Sequence, residues 1–328
     1  WFERHLAMKA STPYKDLKWD YIGPDIISGR ITDIAVPSGP SRTIYVSSAS
    51  GGVWRSVNAG TTWEPILENG ISGSVGDIAV APSNPDILWV GLGEANILRS
   101  SLPGAGVYKS VDAGRTWTHM GLTATHTIGR IVVHPANPDI VYIAASGHEW
   151  TFHPDRGVYK TTDGGRSWDK VLYIDDQTGA IDLVMDPADP ETLYAATWQR
   201  IRRRWSDPNN KPGYGGSGVH KTTDGGRTWR PINEGLPPAE ARGRICLDVA
   251  RSLPGTIYAI VDNQTRLPKP RRESPPRIQE AETRRPNLQS GEIYRSDDRG
   301  AHWRKVSPDD RSFAAMYMYA DNNWFGWA

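Results

Sequence analysis

The feature that most constrains this chain is a hairpin signature that recurs five times and closes each time on a tryptophan. It reads GGVWRSVNAGTTW at 51–63, AGVYKSVDAGRTW at 105–117, RGVYKTTDGGRSW at 156–168, SGVHKTTDGGRTW at 217–229 and SGEIYRSDDRGAHW at 290–303. The tryptophans Trp63, Trp117, Trp168, Trp229 and Trp303 follow one another at intervals of 54, 51, 61 and 74 residues. Self-similarity at such a period marks a repeat architecture in which each unit buries a face against its neighbour. Each unit opens with an apolar strand (RITDIAV, DIAVA, RIVVH, IDLVM, RICLDV). A Pro/Asn/Asp turn follows, as in APSNPD at 81–86, HPANPD at 134–139 and DPADPE at 186–191. A second strand comes next (TIYVSSA, ILWVGLG, IVYIAAS, TLYAATW, TIYAIV), then the VYKS/VYKT-type third strand, and a fourth opened by the tryptophan. Four short antiparallel strands with turn residues where hairpins need them make one blade. The predicted fold is therefore all-β: a β-propeller of four-stranded antiparallel blades, with five complete repeats visible.

Composition fits many short strands joined by turns, since Gly 33, Pro 25 and Trp 14 are high among 328 residues. Lys+Arg 38 against Asp+Glu 37 leaves a formal charge of +1, so no global field points to nucleic acid or an anionic membrane. The one cysteine, Cys246, excludes an internal disulfide and a cysteine metal cluster. No apolar run approaches the roughly 20 residues that cross a bilayer. The start, WFERHLAMKAS, has neither an initiator methionine nor a signal-peptide core, as in a processed protein or a fragment. The expected organisation is an N-terminal extension at 1–16 and a propeller or propeller fragment at 17–328.

The closing turn has a physical rationale. In SVDAGRTW, Asp112 can accept hydrogen bonds from amides inside the turn, Gly114 can take a backbone state costly for other residues, and Trp117 can pack into the seam with the next blade. Asp163, Asp224 and Asp298 repeat the acid, and Asn58 replaces it in the first unit. The acids occur singly, without the dense oxygen set that calcium requires, so their role is read as framework and no metal or other cofactor is expected. The S/T-x-D-x-G-x-T/S-W pattern resembles the Asp-box, or BNR, repeats of bacterial sialidases, family-74 xyloglucanases, sortilin-type receptors and photosystem II assembly factors. The register from WDYIGPDIISGRI through GRIVVHPANPDIVYIAA to VLYIDDQTGAIDLVMDP is similar to bacterial glycosyl-hydrolase-like and sortilin-like proteins. The resemblance covers about 17–320 and implies the fold far more strongly than an activity, because the repeat serves enzymes and binding proteins alike. It also implies a secreted or periplasmic location.

A propeller closes its ring, since an open blade leaves a hydrophobic face and a free edge. The tail SFAAMYMYADNNWFGWA resembles the first strand of a sixth repeat. Similar proteins are much longer, so a missing propeller segment or a partner chain is expected to supply further blades. A closed five-bladed ring is the alternative.

The long insertions, at 96–106, 147–157, 199–218 and 263–291, all fall between second and third strands, which places them on one face. Loops held by a rigid scaffold are the usual site of recognition. First-strand entrances carry Arg30, Asp77, Arg130 and Arg244, with Ala180 in the remaining blade. The arginines can clamp an anion, or pair with Asp33, Asp77 or Asp182. Second-strand ends supply Glu94, His148, Glu149, Trp198, Gln199 and Asp262. Glu94 with Glu149 or Asp262 is the candidate catalytic pair for glycoside hydrolysis, where one acid donates a proton and the other attacks or activates water. Trp150, Trp198 and Trp205 can stack on sugar rings or cap blade seams. In WQRIRRRW, Arg200, Arg202, Arg203 and Arg204 fit acidic loop residues or an anionic glycan or protein better than nucleic acid. The family-74 resemblance implies a catalytic acid in a TDVGG-type sequence just before the third strand; aligning the glycines with Gly51 and Gly52 puts Ala49 there, which has no proton to give. The leading reading is a propeller that binds a polypeptide or glycan on its inserted-loop face without catalysis. A polysaccharide hydrolase and an assembly scaffold completed by missing blades are the alternatives.

Overall fold

The computed structural model describes residues 2–14, 30–68, 72–96, 101–200, 215–268 and 288–308. One α-helix, α1, runs over Phe2–Ser11. The rest is β. Blade 1 is β1 (Ile31–Ala35), β2 (Ile44–Ser48), β3 (Gly52–Ser56) and β4 (Glu64–Pro65). Blade 2 is β5 (Val75–Val80), β6 (Leu88–Leu92), β7 (Val107–Ser110) and β8 (Thr118–His119). Blade 3 is β9 (Ile128–Val133), β10 (Val141–Ala145), β11 (Gly157–Thr161) and β12 (Asp169–Leu172). Blade 4 is β13 (Thr178–Asp186), β14 (Asp189–Gln199), β15 (Gly218–Thr222) and β16 (Arg230–Pro231). Blade 5 is β17 (Arg242–Val249), β18 (Ile257–Arg266), β19 (Leu288–Ser296) and β20 (Arg304–Lys305).

Every sheet is a four-stranded antiparallel meander in chain order. The first strands touch in succession, β1 to β5, β5 to β9, β9 to β13 and β13 to β17, so they form the inner wall of the array. That wall is tight because the first strands of blades 2, 3 and 4 start on a glycine that approaches a neighbouring blade closely, beside a bulge. A Cβ on Gly76 would lie 1.9 Å from the Ile128 carbonyl oxygen, and one on Gly129 would lie 2.3 Å from that of Ile181. Bulges between Val75 and Asp77 and between Ala180 and Asp182 then turn the acids toward the axis side.

Alternation along each second strand feeds two cores at once. In β6, Leu88, Val90 and Leu92 pack toward blade 1, while Trp89 joins the core shared with blade 3. The middle strands β6 and β10 are therefore buried at every position, and their sequences read as continuous apolar runs. Four seams give four separate hydrophobic clusters. Trp168 reaches back across one of them to meet Trp89 edge to face, with centroids 6.2 Å apart. Each large side chain so buried contributes about 1.5–3 kcal/mol, so the seams, and not the strands singly, hold the array together.

Candidate functional site

The ends of the second strands and the starts of the first strands converge at one end of the array. After β6 the chain turns at Gly93 (φ 90°) and runs through Glu94–Asn96 toward blades 4 and 5. Glu94 is buried, and both its oxygens accept from Arg30, from Nε at 2.7 Å and Nη2 at 2.6 Å. Arg244, at the entrance of blade 5, donates from Nη1 to Asn96 Oδ1 at 2.5 Å. Arg200, fully buried at the end of blade 4, donates to the Ala95 carbonyl at 3.0 Å and to Ser146 Oγ at 3.1 Å. The Trp198 ring lies beneath two guanidiniums, with Arg200 4.9 Å and Arg244 5.9 Å from its centroid. All five blades are thus tied together at this mouth of the array.

Deeper on the inner wall, Arg130 gathers carboxylates from three other blades. Its Nε donates to Asp182 at 3.0 Å, and Nη1 lies 3.5 Å from Asp77 and 3.7 Å from Asp33. The acids also lock the wall. Asp77 Oδ2 accepts the Ile131 N–H at 2.6 Å, and Asp182 Oδ2 accepts the Leu247 N–H at 2.8 Å, each from the following blade. Burial pushes the Asp77 carboxyl well above its usual range although Arg130 pulls it down, with Asp33 and Asp182 adding repulsion.

The blade 3 insertion is held from inside. Arg156 is fully buried and donates to three carbonyls, those of Ser146 (2.6 Å), His148 and Thr151 (3.1 Å). Burial lowers its guanidinium to about 10, with Asp175 and Asp176 opposing. Above it three imidazoles stack: His126 on His148 at 3.5 Å and His148 on His153 at 4.0 Å. His153 Nδ1 lies 2.9 Å from Asp155. Burial, and then neighbouring imidazole charge, hold His126 and His148 below the ordinary histidine value. Glu149 is half-buried on this loop, while Trp150 and Phe152 are 45% and 53% exposed.

In blade 5, Asp262 is buried with one hydrogen bond, from Gln264 Nε2 at 3.0 Å; its Oδ1 has no partner. Gly243 makes the room, since a Cβ there would lie 2.2 Å from Asp262 Oδ2. Burial raises this carboxyl to about 6. Nearby, Glu292 accepts from Tyr294, Asn263 and Lys305, each at 2.7 Å. Gln199 is half-buried and accepts the Gly216 N–H at 2.8 Å. Among the described residues, no group of three or more His, Cys, Asp or Glu is placed to hold a metal ion.

The opposite end carries the closing turns. Asp112 Oδ1 accepts from the Thr116 N–H (2.9 Å) and Ser110 Oγ (2.8 Å), and Oδ2 from Thr116 Oγ1 (2.6 Å). Asp163, Asp224 and Asp298 repeat the pattern, with His302 Nδ1 in the hydroxyl's place at Asp298. Asn58 does the same with its amide, Nδ2 donating to Thr62 at 2.9 Å. The buried hydroxyl at the head of each turn accepts the glycine N–H, as Ser110 does from Gly114 at 2.8 Å. These turns and five meandering blades decide the architecture.

This is an Asp-box β-propeller array. A family model described as sortilin, neurotensin receptor 3, matches residues 105–248. The probable oligoxyloglucan-reducing end-specific xyloglucanase of Neosartorya fischeri is 25% identical over 224 residues, 63% of this chain and 26% of its own. A xyloglucanase of Acetivibrio thermocellus is 22% identical over 259 residues, 74% of this chain and 27% of its own. The chain thus spans about a quarter of the length of the curated relatives it matches. Among solved structures, an ancestral GH74 enzyme superposes with a TM-score of 0.60 at 19% identity, over 85% of this chain and 31% of that one. The GH74 xyloglucanase from Xanthomonas campestris gives 0.57 at 21% identity, over 88% and 40%. At these identities the structural likeness shows the fold.

The array brings Arg30, Glu94, Trp198 and Arg244 to one mouth, but the three entrance arginines go to separate partners: Glu94, the Asp33/Asp77/Asp182 set, and Asn96. Ala49 is fully buried. Arg202, Arg203, Arg204 and Trp205 lie outside the described residues, as does the 312–328 tail. Sequence reasoning did not single out His126, His153, Arg156, Asn96 or Gln264. His153 and Arg156 in GHEWTFHPDRG, beside His148, were the available signal; His126, Asn96 and Gln264 carried none.

Proposed function

We propose that the inserted-loop end of this array binds an extended polypeptide or glycan, in a secreted or periplasmic setting, without performing chemistry on it. The observation that carries the reading is the state of Glu94. Each of its oxygens accepts a bond from one guanidinium and its side chain is buried, so attack or proton donation would first have to break that ion pair and open a path to the acid. Ala49, where the resemblance to family-74 enzymes implies an acid, adds no replacement. The exposed Trp150 and Phe152 on the blade 3 loop are the surfaces we assign to ligand contact. Their loop is fixed by Arg156 beneath, which supports recognition on a preorganised surface. Among the described residues no helix is long and apolar enough to cross a membrane.

Binding and turnover are tested together by titrating xyloglucan oligosaccharides, other plant and microbial glycans and extended peptides into the chain, then analysing each mixture for products. The expected result is saturable binding of one class with no new reducing ends, weakened about tenfold by Trp150→Ala, the loss of about 1.4 kcal/mol of contact. A second reading, a polysaccharide hydrolase, is favoured by one observation: the buried Asp262 carboxyl is held protonated to about pH 6, as a general acid requires. Cleavage abolished by Glu94→Gln or Asp262→Asn would replace the binding reading with this one.

A further inference from the structure

Three imidazoles from two separate stretches of chain meet beside the blade 3 insertion. His126 stands in the connection that enters blade 3, and His148 and His153 stand on the inserted loop. The rings are nearly parallel, at 20° for His126 on His148 and 19° for His148 on His153, and all three are half-buried. Rings stacked in this way do not converge their nitrogens on one point, so the cluster is not built to hold a metal ion. His148 joins the two stretches. With its proton on Nε2, the neutral ring donates to the Ala124 carbonyl at 3.2 Å and accepts from Thr151 Oγ1 at 3.4 Å.

The stack fastens two insertions at once. His126 has φ 60° and ψ −43°, a backbone state that a residue with a Cβ keeps only where its surroundings impose it. Its carbonyl accepts the Gly104 N–H at 2.7 Å, which ties the end of the blade 2 insertion to the rings. On the other side, the His153 N–H donates to the Asp176 carbonyl at 3.0 Å, and Arg156 donates to the carbonyls of His148 and Thr151, on either side of Trp150. The outward side chains Leu102, Trp150 and Phe152 are therefore carried on segments that meet at the stack.

Charge is unevenly placed around the rings. His153 Nδ1 accepts the Asp155 N–H at 3.3 Å and lies 2.9 Å from the Asp155 carboxylate, so a proton on this ring meets an acid. His148, in the middle, has His126 on one face, His153 on the other and Arg156 beside it, and each of these opposes a charge on it. Lys170 adds a further cation where it donates to the Pro154 carbonyl at 2.5 Å. Asp175, Asp176 and Tyr173 act on Arg156, and Glu149 follows His148 in the chain. Burial first, and then neighbouring imidazole charge, disfavours protonation of His126 and His148. Their folded values are lowered, so the stabilisation is present above about pH 6.5, the ordinary histidine value, and is lost as pH falls through the lowered values.

We infer that the His126–His148–His153 stack is a proton-operated lock on the inserted loops of blades 2 and 3: neutral rings hold the loops together, and acidification, by charging adjacent rings, releases them. A neutral stack is a contact that needs no counter-ion. One charge is tolerated at the His153 end, against Asp155. A second charge falls on a ring stacked directly on the first or next to Arg156, and the pair repels at the spacing that made the contact. Breaking the stack frees His126 from its imposed backbone state and loosens the segment between Gly147 and Asp155, which carries Trp150 and Phe152. The lock belongs to the loop whatever the loop binds; its effect on a ligand rests on the reading proposed above.

The test is amide hydrogen exchange on the full chain without ligand, at about pH 7.5 and about pH 5, with rates corrected for the intrinsic effect of pH. The expected result is a loss of protection of at least about tenfold at the lower pH in peptides covering 147–155, while β6 and β10 keep theirs. His148→Phe keeps a flat ring in the stack but has no proton to gain, so the ratio between the two pH values falls toward one. His126→Asn, whose side chain tolerates positive φ, removes a charge from the other end and lowers the same ratio. Protection of β6 and β10 shows whether each variant is folded. Proton NMR of the wild type supplies a readout free of substitution: the stacked imidazoles titrate together with loop opening, below about pH 6.5. A wild-type loop equally protected at both pH values, opening that persists in folded H148F and H126N, or imidazoles that titrate without opening, overturns the lock. A loop that opens as described in a chain that binds no glycan or peptide leaves the lock standing and removes the binding reading instead.

Discussion

Replacing Asp262 by asparagine isolates the cost of one buried charge. Its side chain is 5% exposed, one oxygen accepts a single bond from Gln264, and the other has no partner. Burial therefore raises the carboxyl to about 6, against about 3.9 in an unfolded chain. A raised folded value means that the native state prefers the protonated acid. The contribution to stability is fully present below about pH 4 and is lost as pH rises through about 6. About two units at 1.36 kcal/mol each give a penalty near 3 kcal/mol on the wild type above pH 7. Asparagine has nearly the shape of the protonated acid and never ionises. D262N is expected to match the wild type near pH 4 and to exceed it by up to about 3 kcal/mol at pH 8. Urea denaturation followed by tryptophan fluorescence and by circular dichroism, at half-unit steps of pH, measures the difference where the two midpoints coincide. A gap that does not change with pH, or a D262N protein weaker than wild type at pH 8, would refute the reasoning.

Three further outcomes follow from the same geometry. Gly129→Ala puts a methyl 2.3 Å from the Ile181 carbonyl oxygen, backbone that cannot step aside; the expected cost exceeds about 3 kcal/mol, read as lost soluble yield or a collapsed melting temperature. Thr222→Ala removes the buried hydroxyl that accepts the Gly226 N–H at 2.9 Å and donates to Asp224 at 2.7 Å, and urea titration is expected to show a loss of about 1–3 kcal/mol. Thr116 and Ser110 hold Asp112 down to about 2, so its stabilisation is complete above about pH 4 and disappears as pH falls toward 2; D112N, which copies Asn58, is expected to lose less melting temperature over that range than wild type.

The five blades were legible because the repeat encodes backbone needs that few residues meet. A left-handed residue after the acid, a hydroxyl two residues before it and a tryptophan five after it recur even where Asn58 replaces the acid and His302 the second hydroxyl. The alternation in β6 was equally plain, since Leu88, Trp89, Val90 and Leu92 can all be buried only in a strand covered on both faces. The mouth was less legible, for a physical reason. Its hydrogen bonds join residues 54 to 148 positions apart, from Ser146–Arg200 to Asn96–Arg244, and no local pattern distinguishes an arginine that will find an acid from one that will find an amide. Arg200 stands in a basic run suited to an acidic partner, and two of its bonds go to a carbonyl and a serine hydroxyl from two other blades.

That difference bears on where recognition falls. A guanidinium turned inward on a carbonyl and a hydroxyl serves as a strut, because withdrawing it for a ligand would strand buried acceptors at about 1–3 kcal/mol apiece. Arg156 and Arg200 are struts in this sense, and Arg30 is one with respect to Glu94. The channel mouth is therefore rigid but largely spent on itself. What it holds outward is different in kind: Trp150 and Phe152 on a loop pinned from below, and Leu102 on the neighbouring insertion at 50% exposure. Apolar side chains on an anchored loop lose little freedom when covered, so a ligand meeting this end would gain contact area without first breaking an ion pair. Substitutions of the struts should then weaken binding only as far as they loosen the loops, whereas Trp150→Ala should weaken it with the fold intact.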